Sequence, residues 1–433
     1  MAKKHTPHRM SPLLIQNVLV LDPHKKRQEK ADLFISADGL LLPVPASLPP
    51  KTRRINASGM VATPGFWDMH AHFRDPGTPA AETLLSGARA AAAGGFTHVV
   101  TMPNTSPACD TPKMVRRQQS PDLPVCILPS ACISKSRAGR ALADLDALAA
   151  AGAIAFTDDG TMVADAAVMA DALRHAARLG RVVMDHAVLP ALAGNGVIRA
   201  CAAAQQFGLP VFPPEAEVAA VEQDIRLVRE TKTAIHIQHL SCAGAIAAIR
   251  AAQREHLAVS GEASPHHLAI AAEDITHDDG NFRMNPPLGT REDVKALRAA
   301  ILDGTLAAFA TDHAPHAPET KSHGFLRAPS GVIGLETAAG VTYSLMVGVE
   351  NMPLLDWVAR WTTGPAAILG LPPPTLTEGQ PADLTLFDVK NPWRVDPANF
   401  QSLSRNCPFA NWTLHGHAML TICAGKVTWS PTA

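Results

Sequence analysis

The chain has 433 residues, with 38 Lys and Arg against 39 Asp and Glu, and its net charge of -1 gives no general pull toward nucleic acid or an anionic membrane. No stretch approaches the ~18 uninterrupted apolar residues of a membrane helix, and no apolar run follows the N-terminal lysines, so a cytoplasmic protein with a small-molecule partner is expected. Its seven scattered cysteines (Cys109, Cys126, Cys132, Cys201, Cys242, Cys407, Cys423) never form a C-x-x-C pair and read as reduced thiols.

The short basic stretches, "MAKKH" at the start and "HKKRQEK" from His24, lack interleaved aromatics and read as a solvated tail and a turn. Residues 12–62 carry the strand-like runs "LLIQNVLVLD" and "ADLFISADG". From about Met60 eight β-rich runs alternate with alanine-rich helical stretches: "GFWDMHAHF", "THVVTMPN", "VCILPSAC", "IAFTDDG", "VVMDHA", "AIHIQHLS", "LAVSGEAS" and "LAAFATDHA". Val218, Val221, Ile225 and Val228 show the helical period between two of them. The second crossover, "TPKMVRRQQSPDLP", is short and ends in proline. Residues from about 373 to 433 return to strand character in "ADLTLFDV", "NWTLHGHAML" and "TICAGKVTW". This alternation predicts an α/β fold: a (β/α)8 TIM-like barrel over 63–372, set between the halves of a small β-sandwich domain formed by 1–62 and 373–433.

In such a barrel the chemistry gathers at the C-terminal ends of the strands. His70 and His72 alternate on the first strand and share one face, roughly 6.5 to 7 Å apart. The other strand ends bring Asn104, Asp158 and Asp159, His186, His239, and Asp312 with His313 and His316. Imidazoles and carboxylates converging on one mouth suit Zn²⁺ with an open position for water. Arg74 shares the histidine face if the strand conformation persists that far, which would set its guanidinium beside the ions.

The segments "PGFWDMHAHFRDPG", "GGFTHVVTMPNTSP", "AFTDDG", "HIQHLSCAG", "MNPPLGTRED", "ATDHAPHAPE" and "SRNCPFANWTLHG" resemble, in order and spacing, the motifs of class I dihydroorotases of the amidohydrolase superfamily. The resemblance implies a (β/α)8 barrel with a β-sandwich built from both ends. It implies that His70 and His72 hold a more buried metal, that His186 and His239 hold a second, and that Asp159 bridges them beside Asp158. Asp312 would both ligate metal and move the proton. Arg74, Asn104 and His316 would grip a substrate carboxylate, with Asn285, Ser330 and Gly331 as further substrate contacts. Two departures stand out: "AVL" follows His186 where the family has "CED", and "PSG" replaces "PFG" at Ser330. The histidines of "PHHL", His266 and His267, are given no metal role.

The implied activity is reversible, zinc-dependent interconversion of N-carbamoyl-L-aspartate and L-dihydroorotate in pyrimidine synthesis, with one or two zinc ions per subunit. Dihydropyrimidinase and allantoinase are the enzymatic alternatives, and a carboxylate clamp argues against both because their rings are neutral. A noncatalytic subunit scaffolding aspartate transcarbamoylase would be expected to lose metal ligands, and here all remain. A homodimer and an association with aspartate transcarbamoylase are the macromolecular partners to test.

Overall fold

The computed structural model of the protein describes residues 10–431, so the basic "MAKKH" start lies outside the described residues. Alternating apolar residues near both ends build one sheet. Its strands are β1 (Leu13–Asp22), β2 (Arg27–Ile35), β3 (Leu41–Leu42), β4 (Arg53–Asn56) and β5 (Met60–Pro64). They join β14 (Leu384–Arg394), β15 (Thr413–Cys423) and β16 (Lys426–Trp429) from the far end of the chain, in the order β16-β15-β14-β5-β1-β2-β3, with β4 beside β1. The ends of the chain are stitched together where Leu384 to Asp388 pair antiparallel with Pro64 to Met60. Ile15, Val20, Ile35, Leu384, Leu386 and Ile422 fill the sheet's own core.

Two details differ from the pattern reading. Half of "HKKRQEK" is strand and not turn: Arg27 to Lys30 pair with Asp22 to Leu19. The backbone ladder is satisfied there while the charged side chains stay in solvent, so charge does not oppose the strand. "NWTLHGHAML" and the start of "TICAGKVTW" form one strand, β15, which turns back through Ala424 (φ +47°) and Gly425 (φ +75°). Positive φ at both central residues suits the right-handed twist of the hairpin it closes.

The barrel strands follow in chain order: β6 (Phe66–Ala71), β7 (Phe96–Thr101), β8 (Cys126–Ala131), β9 (Ala155–Phe156), β10 (Val182–Asp185), β11 (Ala234–Ile237), β12 (Ala258–Ala263) and β13 (Ala308–Phe309). Each pairs with the next, and these eight coincide with the eight runs read from the sequence. The circle closes through a parallel bridge of Ala71 to His313, with the His72 N–H donating to the His313 carbonyl at 2.8 Å. Buried Asp68 fixes that seam by accepting from the Thr311 N–H at 2.9 Å and its hydroxyl at 2.6 Å. The short second crossover forms the helix Pro112–Arg117, with Thr111 capping the Met114 N–H. Proline is tolerated there because the first helical turn has no partner for its missing N–H. On the helix Glu215–Thr231, Val221, Ile225 and Val228 are buried and Val218 is half-buried, as the period requires.

An aromatic cluster joins the two layers. Phe66 packs edge-on against Trp357 (5.4 Å) and Phe387 of β14 (5.8 Å), and Phe96 packs against Trp361 (5.2 Å). Phe66 and Phe96 begin their strands, so this contact lies at the strand starts, away from the C-terminal ends where such a barrel keeps its chemistry.

Candidate active site

The strand ends bring the predicted ligands together. His70 Nε2 lies 3.2 Å from Asp159 Oδ1 and 3.5 Å from Asp312 Oδ1, and His72 Nε2 lies 3.2 Å from Asp312 Oδ1 and 3.5 Å from Asp159 Oδ2. On the other side His186 Nδ1 and His239 Nε2 are each 3.7 Å from Asp159 Oδ1 and 2.8 Å from one another. His70, His72 and Asp159 form one group, and Asp159, His186 and His239 a second, with donor atoms in each group within 4.8 Å of one another. Asp159 belongs to both, while Asp158 turns away to accept from the Ser134 N–H and hydroxyl.

Two of these buried atoms, His70 Nε2 and Asp159 Oδ1, have no hydrogen-bond partner among the described residues. Burial alone would favour neutral groups, but Asp159, Glu262 and Asp312 together outweigh it and raise His70 well above the ordinary histidine range. Burial likewise pushes Asp159 up, yet the three imidazoles bring it well below the ordinary carboxylate range. Paired carboxylates facing converging imidazoles, with an orphaned atom on each side, fit a bound cation of borderline hardness.

Backbone strain marks the same place: His239 (φ +29°) and Asp312 (φ +46°) occupy left-handed conformations uncommon for residues other than glycine. Arg74 also does, at φ +54°, and β6 ends at Ala71. The strand alternation invoked for Arg74 therefore stops short of it. The left-handed turn instead brings its side chain back, with Nε donating to the Pro315 carbonyl at 3.2 Å, and it lines one cavity of about 220 Å³ with His72, Asp159, Asp312 and His316.

Asn104 and His186 show how the rings are held. His72 Nδ1 donates to Asn104 Oδ1 at 2.9 Å, and Asn104 Nδ2 donates to Asp159 Oδ2 at 3.2 Å, leaving one amide N–H for a ligand. The Asn285 amide lies 3.0 Å from His186 Nε2, so polar support reaches that ring from another loop in place of the buried Ala187 and Val188. His316 Nε2 donates to the Ser330 carbonyl at 2.7 Å, and burial, then the Arg74 charge, pushes that imidazole down to about 3. Gly331 (φ +128°) passes so close to Ala314 and His316 that a Cβ would stand 2.5 Å from Ala314 Cβ and 3.1 Å from His316 Nε2. Ser330 also lines a second, wider cavity of about 550 Å³ that meets the first at Gly160, His186 and Asn285.

Several supporting residues escaped the sequence reading. Glu262 on β12 accepts from His70 Nδ1 at 2.9 Å and from His236 Nε2 at 3.0 Å. Burial raises its carboxyl, but these bonds dominate and bring it down to about 2. The signal was present, since "LAVSGEAS" sets an acid inside an apolar strand run. Arg137 also escaped it and donates to the Asp159 carbonyl at 2.6 Å, while His266, singled out without a metal role, stands with Nε2 unpartnered among the described residues 4.0 Å from Asp312 Oδ2.

Comparison with known proteins follows the same lines. The family model described as Dihydro-orotase-like matches residues 59–244, and that described as Amidohydrolase family matches 152–429. The chain is 40% identical over 421 residues to a dihydroorotase of Syntrophotalea carbinolica, covering 96% of this chain and 99% of that one. It is 39% identical over 418 residues to a dihydroorotase of Pelotomaculum thermopropionicum, covering 96% and 98%. Among solved structures, L-hydantoinase (dihydropyrimidinase) from Arthrobacter aurescens superposes with a TM-score of 0.83 at 22% identity, over 97% of this chain and 96% of that one. Dihydropyrimidinase from Brevibacillus agri does so with a TM-score of 0.81 at 22% identity, over 96% and 94%. At that identity the likeness speaks for the fold alone.

Proposed function

The chain belongs to the dihydroorotase-like branch of the amidohydrolase family, and from that premise we propose that it opens and closes the ring linking L-dihydroorotate to N-carbamoyl-L-aspartate. The observation that carries this reading is Arg74. A guanidinium in the same small cavity as both ligand groups suits a ring bearing a carboxylate, whereas the neutral rings of dihydropyrimidinase or allantoinase substrates would leave it unpaired.

His70, His72 and Asp159 would hold one zinc ion and Asp159, His186 and His239 a second, with Asp312 reaching the first pair. When bound, zinc supplies a water of lowered pKa and draws charge onto the scissile carbonyl. The remaining chemistry belongs to side chains. Arg74 pairs with the substrate carboxylate, and the free N–H of Asn104 donates to it. His316 already spends its Nε2 proton on Ser330, so it would donate through Nδ1 only on taking up a proton beside the anion. Asn285 and the Ser330–Gly331 strap line the same cavity and border the ring. Asp312 accepts the proton of the attacking water at its carboxylate and delivers it to the departing amide nitrogen. In reverse it serves ring closure. Opening releases an acid that ionises, so high pH favours opening and low pH closure.

The test joins two measurements: elemental analysis of purified protein and a dihydroorotate assay in both directions. Zinc at one or two equivalents, with activity lost to a chelator and restored by Zn²⁺, is the expected result. Protein without metal that gains no turnover on adding Zn²⁺ would end the metalloenzyme reading. A cytoplasmic location is part of this proposal; among the described residues no helix is long and apolar enough to cross a membrane. A homodimer and an association with aspartate transcarbamoylase are likewise proposed, to be checked by light scattering of the protein alone and mixed with that enzyme.

A further inference from the structure

Four of the residues proposed to contact substrate, Asn285, His316, Ser330 and Gly331, come from loops rather than strands. One buried amine touches the backbone of those loops. Lys321 ends the short helix Pro318–Lys321, is 5% exposed, and sends its Nζ to three carbonyls: Pro329 at 2.9 Å, Gly331 at 2.9 Å and Arg283 at 3.3 Å. Arg283 lies two residues before Asn285, while Pro329 and Gly331 flank Ser330. The Gly331 N–H also donates to the Arg283 carbonyl at 2.9 Å, so the two segments already touch and the ammonium crosses their junction. Gly280 permits the approach, since a Cβ there would lie 2.5 Å from the Lys321 carbonyl oxygen.

Asn406 completes the assembly from the other side. Its Nδ2 donates to the carbonyls of Ala314 (3.0 Å) and Gly331 (3.1 Å), and its Oδ1 accepts from the His316 N–H at 3.2 Å. His316 in turn reaches Ser330 through Nε2. Three backbone carbonyls from two segments thus converge on one buried amine, which offers a proton to each.

We propose that Lys321 is a positioning residue for substrate: its amine clasps the Asn285 and Ser330–Gly331 segments into one unit and so sets the loop-built part of the cavity that Arg74 also lines. Lys321 bonds to neither ligand group, and the charges of Arg283 and Asp279 that act on it lie on the loop it clasps and the turn before it. The inference rests on the proposed dihydroorotase reading for what occupies the cavity, but not for the clasp itself.

Lys321→Met keeps the length of the side chain and removes the donors. With zinc-loaded protein it should raise KM for dihydroorotate about 10- to 100-fold, the range for losing hydrogen bonds to a charged group, while kcat stays within about threefold and zinc content is unchanged. Amide hydrogen exchange over 283–285 and 329–331 should quicken, and that over 70–72 should not. Lys321→Arg keeps the charge but cannot bring three protons of one nitrogen onto the three carbonyls, so its KM should fall between the two; it carries the test alone if the methionine variant does not fold. An unchanged KM in either variant, or a joint loss of kcat and zinc, would overturn the assignment. If the wild type turns over no dihydroorotate the functional reading fails, and the exchange comparison still decides whether the clasp exists.

Discussion

The two sides of the candidate site are held by different means. His70, His72, His186, His239 and Asp159 stand on or just after barrel strands, and their rings are fixed by side chains such as Glu262 and Asn104. Asn285, His316, Ser330 and Gly331 stand on loops whose position depends on backbone carbonyls gathered by Lys321 and Asn406. The hydrogen-bonded barrel fixes the first side closely, as ligand geometry demands. The second side can be adjusted by changing a loop without disturbing the barrel, which is where a family would alter the ring it accepts.

The largest effect should come from the metal side. Asp312→Asn keeps the shape but cannot accept the water proton or pass it on, so turnover should fall by about 10²- to 10⁴-fold, with dihydroorotate still bound. Steady-state kinetics with a binding measurement check this, and near-normal turnover would mean the proton carrier is another group.

Arg74 stands at the boundary between the two sides. Losing one partner of a buried charge pair costs about 2 to 5 kcal/mol, so Arg74→Met should lower kcat/KM for dihydroorotate roughly 30-fold to several thousand-fold and leave zinc in place. Dihydrouracil, lacking the carboxylate, should be a poor substrate of both proteins and little changed. Equal losses on both rings would move Arg74 to the metal side.

Glu262→Gln tests whether ring orientation is what makes the metal side rigid. A glutamine oxygen can still accept from His70 or His236 but no longer as a carboxylate, and such partners typically contribute about 10- to 100-fold in metal affinity or activity. Competition with a fluorescent chelator should show weaker zinc binding with dihydroorotate KM little altered. A change confined to KM would mean that Glu262 serves the substrate face rather than the candidate metal ligands.

The smallest effect is expected at Ser330, whose carbonyl rather than side chain holds His316. Ser330→Phe should shift KM by no more than several-fold, about 1 kcal/mol of added contact over the ring, and kcat should stay put. A loss of turnover would show that the strap bears on the chemistry and not only on binding.

What could be read from residues alone follows from short-range regularity. Eight apolar runs separated by helical periods announced the barrel, because burial on both faces and the crossover helices each leave a periodic mark. The polar strand ends then announced the candidate ligand set, since such residues interrupt those marks at the one place where an α/β barrel keeps its chemistry. The charged "HKKRQEK" misled in part because an edge pairing satisfies the backbone whatever its solvent-facing side chains are. The family motif pointed to Arg74, but the strand alternation offered for its aim did not hold, as a left-handed turn aims it. Lys321 and Asn406 left no pattern: they act on backbone carbonyls supplied by distant segments, from Arg283 to Gly331 and Ala314. Composition and periodicity record which side chains are buried, whereas which carbonyls converge on a buried amine is set only when loops far apart in the chain are packed together.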